Sequence, residues 1–101
     1  MKEISGHQLK TLIDSKADFQ LIDVREEYEV EDGSIGGKLI PMGEVAERID
    51  EIDRDKQVVI HCRSGKRSAT IITLLEKEFG FTNLYNLRGG ILAYFEETSD
   101  V

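Results

Sequence analysis

The chain has 101 residues, 40% of them apolar, with 20 acidic against 13 basic side chains and a net charge of −7. That length is enough for one domain with its own core, expected to span residues 1–101. The acid excess argues against a nucleic-acid-binding face, no apolar run approaches the ~18 residues of a membrane span, and one cysteine leaves no internal disulfide.

In chain order, Met1-Lys2-Glu3-Ile4-Ser5 has no apolar stretch behind it that would make a secretion signal. With the lone cysteine this sets the expectation of a reducing, cytoplasmic location. Ser5-Gly6-His7-Gln8 has the form of a capping box, and Leu9, Leu12 and Ile13 supply the apolar face of a first helix. Phe19–Val24 reads as a strand, followed by a short acidic helix around Glu26–Glu31. Asp32–Gly37 is a turn-rich loop leading to extended Lys38–Pro41. Val45, Ile49 and Ile52 fall at i, i+4 and i+7, which predicts a helix over Gly43–Ile52 with one buried stripe.

The β-branched run Val58-Val59-Ile60 predicts a buried strand over Gln57–His61. A helix follows over Ser68–Phe79, with Ser68 as its expected N-cap and Gly80 as its stop. Asn83–Leu87 is a last short strand, Gly89-Gly90 a turn, and Ile91–Glu97 a closing helix. Strands alternating with helices predict an α/β fold with a mainly parallel sheet. Ligands of such sheets sit beyond the carboxyl ends of the strands. That edge gathers Cys62, the Asp23-Val24-Arg25 segment and Arg88-Gly89-Gly90.

Cys62 stands where the apolar strand gives way to Arg63-Ser64-Gly65-Lys66-Arg67-Ser68. If this loop curls around the sulfur, successive amide N–H groups form an anion nest. Gly65 permits the turn, the helix adds its positive dipole end, and Arg63, Lys66 and Arg67 add cationic charge. All favour the thiolate, the reactive form, and would equally support a persulfide. A lone cysteine at the end of an apolar strand is otherwise most often a buried packing residue. The basic, glycine-containing loop separates this case from that one. His61, on the opposite strand face from Cys62 by alternation, is read as a packing or hydrogen-bonded histidine, and His7 as a surface residue. Neither forms a zinc pattern with Cys62, so no metal or cofactor is expected. The internal Leu87-Arg88-Gly89-Gly90 is a turn.

Cys62-Arg63-Ser64-Gly65-Lys66-Arg67-Ser68 resembles the active-site loop of the rhodanese (sulfurtransferase) family. Leu21-Ile22-Asp23-Val24-Arg25-Glu26 and Leu87-Arg88-Gly89-Gly90-Ile91 are similar to two further motifs of that family, in the right order. The resemblance implies a three-layer α/β domain, its mainly parallel central sheet flanked by helices. It implies a sulfurtransferase in which Cys62 takes a sulfane sulfur from a small anionic donor, thiosulfate or a persulfide. The sulfur then passes to a thiophilic acceptor: a thiol, cyanide or a protein. Arg63, Ser64, Gly65, Lys66, Arg67 and Ser68 are the expected substrate-binding loop. Asp23 would orient loop backbone or an arginine, and Arg25 would act beside it or touch substrate.

The chain departs from the family pattern at Gly33–Lys38, which lacks the usual His and Pro, and at Tyr94, where a Trp is usual. Related cysteine-loop phosphatases need C-x5-R. The spacing from Cys62 to Arg67 is C-x4-R, a tighter cradle that suits one sulfur better than a phosphoryl group. A sulfur-carrier module working with a partner protein and a non-catalytic regulatory domain are the alternative readings. Oligomeric state has no signature in the sequence.

Overall fold

The computed structural model describes residues 1–99. Its elements are β1 (Glu3–Ile4), α1 (Gly6–Asp14), β2 (Gln20–Asp23), α2 (Glu27–Val30), β3 (Lys38–Leu39), β4 (Val58–His61), α3 (Lys66–Phe79), β5 (Leu84–Leu87) and α4 (Gly90–Glu97). Two 3₁₀ segments, Met42–Glu47 and Ile49–Glu51, lie between β3 and β4. The five strands form one sheet in the order β1-β5-β4-β2-β3, and every neighbouring pair is parallel.

Two apolar layers cover the sheet, and strand alternation decides which residue enters which. Ile22, Val58, Ile60 and Leu84 face a layer built from Ile71, Ile72 and Leu75 of α3 with Val45 and Ile52. Val59 and Leu87 face the other layer, with Leu9 of α1 and Ile4, against which Leu12, Ile13 and Tyr94 pack. All four residues of β4 are buried, as expected of a central parallel strand covered on both faces. Leu9, Ile72 and Leu75 are wholly enclosed. Each such side chain contributes about 1.5–3 kcal/mol of burial.

The capping box of α1 is present: the Gln8 amide donates to Ser5 Oγ (3.1 Å), and the Ser5 amide donates to Gln8 Oε1 (2.9 Å). Gly80 ends α3 in left-handed backbone, φ 71°. Two expectations need correction. The predicted helix over Gly43–Ile52 is the pair of 3₁₀ segments, interrupted at Arg48 (φ −122°, ψ 30°). Val45 and Ile52 are buried all the same, because a spacing of three or four satisfies a 3₁₀ turn as well as an α-helix. The Arg48 guanidinium bridges the break, bonding Glu44 on one side and Glu51 on the other. The second correction is at α3, which begins at Lys66 with Gly65 as N-cap, leaving Ser68 inside the first turn.

Candidate active site

Cys62 lies one residue beyond β4, at the carboxyl edge of the sheet. There the strand can no longer pair its backbone within the sheet, and the chain must turn into α3. Gly65 makes the turn possible: it is left-handed, with φ 100°, a conformation that costs other residues. The turn folds the loop over the sulfur. The Gly65 amide donates to Cys62 Sγ at 3.1 Å and the Ser68 amide at 3.5 Å, while Ser68 Oγ lies 3.4 Å away.

The residue is fully buried. One flank belongs to the apolar layer with Ile60 and Ile71, and the other meets the amides. Burial pushes the thiol's pKa up. The hydroxyl of Ser68 and the amides of Ser68, Gly65 and Ser64 more than offset it, so the net direction is down. An anion nest and a buried cysteine therefore coexist at this position.

α4 braces the loop from outside. The amides of Ile91 and Leu92 donate to the carbonyls of Cys62 (2.9 Å) and Arg63 (3.2 Å). This contact requires Gly90, where an added Cβ would stand 2.3 Å from the Arg63 carbonyl oxygen. The expected turn at Gly89-Gly90 is thus also the point where α4 touches the loop.

The cations are arranged differently from the sequence-based expectation. Arg67 makes no hydrogen bond to the sulfur and pairs with Glu29 of α2, through contacts of 2.7 and 2.8 Å. That bidentate pair holds the Glu29 carboxyl down at about 2, and Arg67 is shifted upward in return. Arg63, Ser64 and Lys66 are exposed, and neither Arg63 nor Lys66 has an ion pair among the described residues. The hydrogen bonds to the sulfur thus come from neutral groups, and the Arg67 charge acts on it only through space.

Asp23 and Arg25 form a buried pair at the end of β2. Arg25 Nη2 and Nε donate to Asp23 carboxylate oxygens at 2.9–3.1 Å, and the Arg25 amide donates to Oδ1. The guanidinium also donates to the carbonyls of Glu29 (3.3 Å) and Gly33 (2.9 Å). Asp23 thus orients an arginine, and that arginine fixes the 29–33 segment. Arg25 additionally borders a cavity of about 270 Å³ beside the loop, with Arg63, Asp32, Ile91, Leu92 and Phe95.

His61 is enclosed on the far strand face, and neither ring nitrogen has a hydrogen-bond partner among the described residues. Burial lowers its pKa, with the carboxylate of Asp23 opposing, which keeps the ring neutral. It is a packing residue. Two residues beside the loop have little signature in the sequence. Glu29 is one more acid in an acidic helix. Asn86 of β5, buried with its carboxamide 2.5 Å from Ser68 Oγ, was detectable only as an amide in an apolar strand, where Asn is disfavoured.

The family model for the rhodanese-like domain matches residues 5–97. YtwF of Bacillus subtilis is 40% identical over 99 residues, covering 97% of this chain and 94% of that protein. A sulfurtransferase of Allochromatium vinosum is 37% identical over 95 residues, covering 93% and 88%. Among solved structures, a rhodanese-related protein from Thermoplasma volcanium superposes with a TM-score of 0.83 at 31% identity, over 97% of this chain and 94% of the other. With a cysteine ringed by amides at the carboxyl edge of a five-stranded parallel sheet, and with this kinship along nearly its whole length, the chain belongs to the rhodanese-like family of sulfur-transfer domains.

Proposed function

We propose that this protein is a sulfurtransferase that carries a sulfane sulfur as a persulfide on Cys62. The observation that carries the reading is the pair of backbone amides, Gly65 and Ser68, aimed at one sulfur atom at the mouth of α3. Donors fixed in advance stabilise a thiolate and then a persulfide anion without rearranging.

The reaction is two displacements. The Cys62 thiolate attacks the outer sulfur of thiosulfate. A sulfur–sulfur bond forms to Cys62 as the donor's own sulfur–sulfur bond breaks, and sulfite leaves with the electron pair. A thiolate or cyanide then attacks the outer sulfur of the persulfide, and the Cys62 thiolate departs. No second cysteine exists in the chain, so the acceptor comes from outside. Arg63 and Lys66, exposed near the loop, draw in the anionic donor, with the Arg63 side of the adjoining cavity as its approach. With Arg67 engaged by Glu29, the arginine at the end of the loop is not free to cradle a phosphoryl group, which favours sulfur over phosphoryl chemistry.

Incubation with thiosulfate followed by intact mass spectrometry tests this. The expected result is a gain of one sulfur atom that cyanide removes as thiocyanate, and Cys62→Ser should lose the gain while keeping the fold. Uptake by the serine variant would end the proposal. Uptake without release to cyanide or small thiols would instead favour a carrier that hands sulfur to a protein.

A further inference from the structure

We infer that Asn86 is a positioning residue that governs how readily Cys62 ionises, by competing with the sulfur for the single proton of the Ser68 hydroxyl. The assignment rests on Cys62 as the reactive thiol of the proposed function. It follows from counting donors and acceptors in a closed space. Ser68 is fully buried, and three acceptors surround its Oγ: Asn86 Oδ1 at 2.5 Å, the Gly65 carbonyl at 3.2 Å and Cys62 Sγ at 3.4 Å. A hydroxyl has one hydrogen to give.

The orientation of the Asn86 carboxamide is not free. Its Nδ2 lies 3.2 Å from the Gly65 carbonyl, which only accepts, so the amino end must face Gly65. The oxygen end then faces Ser68 and requires a proton from it. With neutral Cys62 the network closes: the thiol donates to Ser68, Ser68 to Asn86, and Asn86 to Gly65. With ionised Cys62 the sulfur becomes an acceptor. If Ser68 turns its proton to the sulfur, two oxygens are left facing each other across 2.5 Å in a buried site. If it does not, the thiolate loses its hydroxyl donor. Either way Asn86 raises the cost of the thiolate, because buried acceptors left unmatched are expensive. The amides of Gly65 and Ser68 pull one way, and Asn86 pulls the other. A less stabilised thiolate is also the better nucleophile.

The test is the pH dependence of Cys62 alkylation by iodoacetamide in the full chain, which needs no sulfur transfer and can fail independently of the proposed function. Asn86→Leu, close in size but without hydrogen bonding, frees the Ser68 proton. Its titration midpoint should move to lower pH, with a rate roughly threefold or more above wild type on the acidic side and a lower plateau on the alkaline side. Ser68→Ala should move the midpoint upward, and Asn86→Leu added to Ser68→Ala should change nothing further. An unmoved or raised midpoint in Asn86→Leu, or a shift that survives in the Ser68→Ala background, overturns the inference. Should Asn86→Leu fail to fold, the S–H stretch of the wild-type thiol by Raman spectroscopy decides. A hydrogen-bonded, lowered frequency that returns to the free value in Ser68→Ala supports the network, and a free S–H stretch in wild type overturns it.

Discussion

Two segments at the carboxyl edge of the sheet solve opposite problems with different chemistry. Residues 62–68 surround the sulfur of Cys62, which the proposed function requires to carry charge, and they meet it with backbone amides and a hydroxyl. Residues 23–33 carry many charges of their own, and those that face the loop are held in pairs, Asp23 with Arg25 and Glu29 with Arg67, while Glu26, Glu27, Glu31 and Asp32 have no ion pair among the described residues. The contrast teaches that density of cationic residues in a sequence does not measure the charge delivered to a reactive atom. Arg67, at the end of the basic run, holds α2 against α3. Amides cannot leave the loop or be neutralised by a neighbouring acid, which makes them the dependable support for an anion.

The largest effect that would break this comparison comes from Arg25. Its removal in Arg25→Ala strands the Asp23 carboxylate in a buried site and releases the 29–33 carbonyls, at a cost of about 3–5 kcal/mol. Urea unfolding measures it. Loss of sulfur uptake without loss of stability would show Arg25 acting on the substrate in preference to the scaffold.

A smaller effect sharpens the role of Arg67. Glu29→Gln should cost about 1 kcal/mol or less, since the pair is partly exposed. The pH sign follows from the lowered carboxyl. With a folded value of about 2 against roughly 4.3 for an unperturbed Glu, the pair's contribution is complete above about pH 4.3 and fades as the pH falls through about 2. Acid titration of stability should therefore show a component in that window that Glu29→Gln lacks. An identical profile would mean that the pair contributes nothing.

The smallest effect on the fold belongs to the exposed cations. Arg63→Ala and Lys66→Ala should leave stability within about 0.5 kcal/mol of wild type. Each should slow sulfur uptake from thiosulfate roughly two- to tenfold at low salt, with the difference shrinking as ionic strength rises. Equal rates at low salt would leave donor capture to the amides alone.

Much of the architecture was legible because its signals are local. The Ser5–Gln8 capping box, the β-branched run of β4 and the stop at Gly80 each state their structure within a few residues. The cysteine loop was legible for the same reason. β1 was not, because two residues show no period; it exists through pairing with β5, where the Asn86 amide donates to Lys2 and that of Arg88 to Ile4. The 3₁₀ segments have no distinct signature, since the spacing of Val45, Ile49 and Ile52 fits either helix type. Glu29 and Asn86 stayed hidden because their partners, Arg67 and Ser68, lie 38 and 18 residues away. Only the crossovers of the sheet bring them together.

The seam between Cys62–Arg63 and Ile91–Leu92 sets an order of events during synthesis. A nascent chain released from the ribosome through α3 already holds its cysteine, Gly65 and Ser68. It still lacks Asn86 and the two amides that pin the loop from behind. The finished nest therefore needs residues 86–92 folded onto the loop, and a polypeptide that ends before them carries the thiol without it.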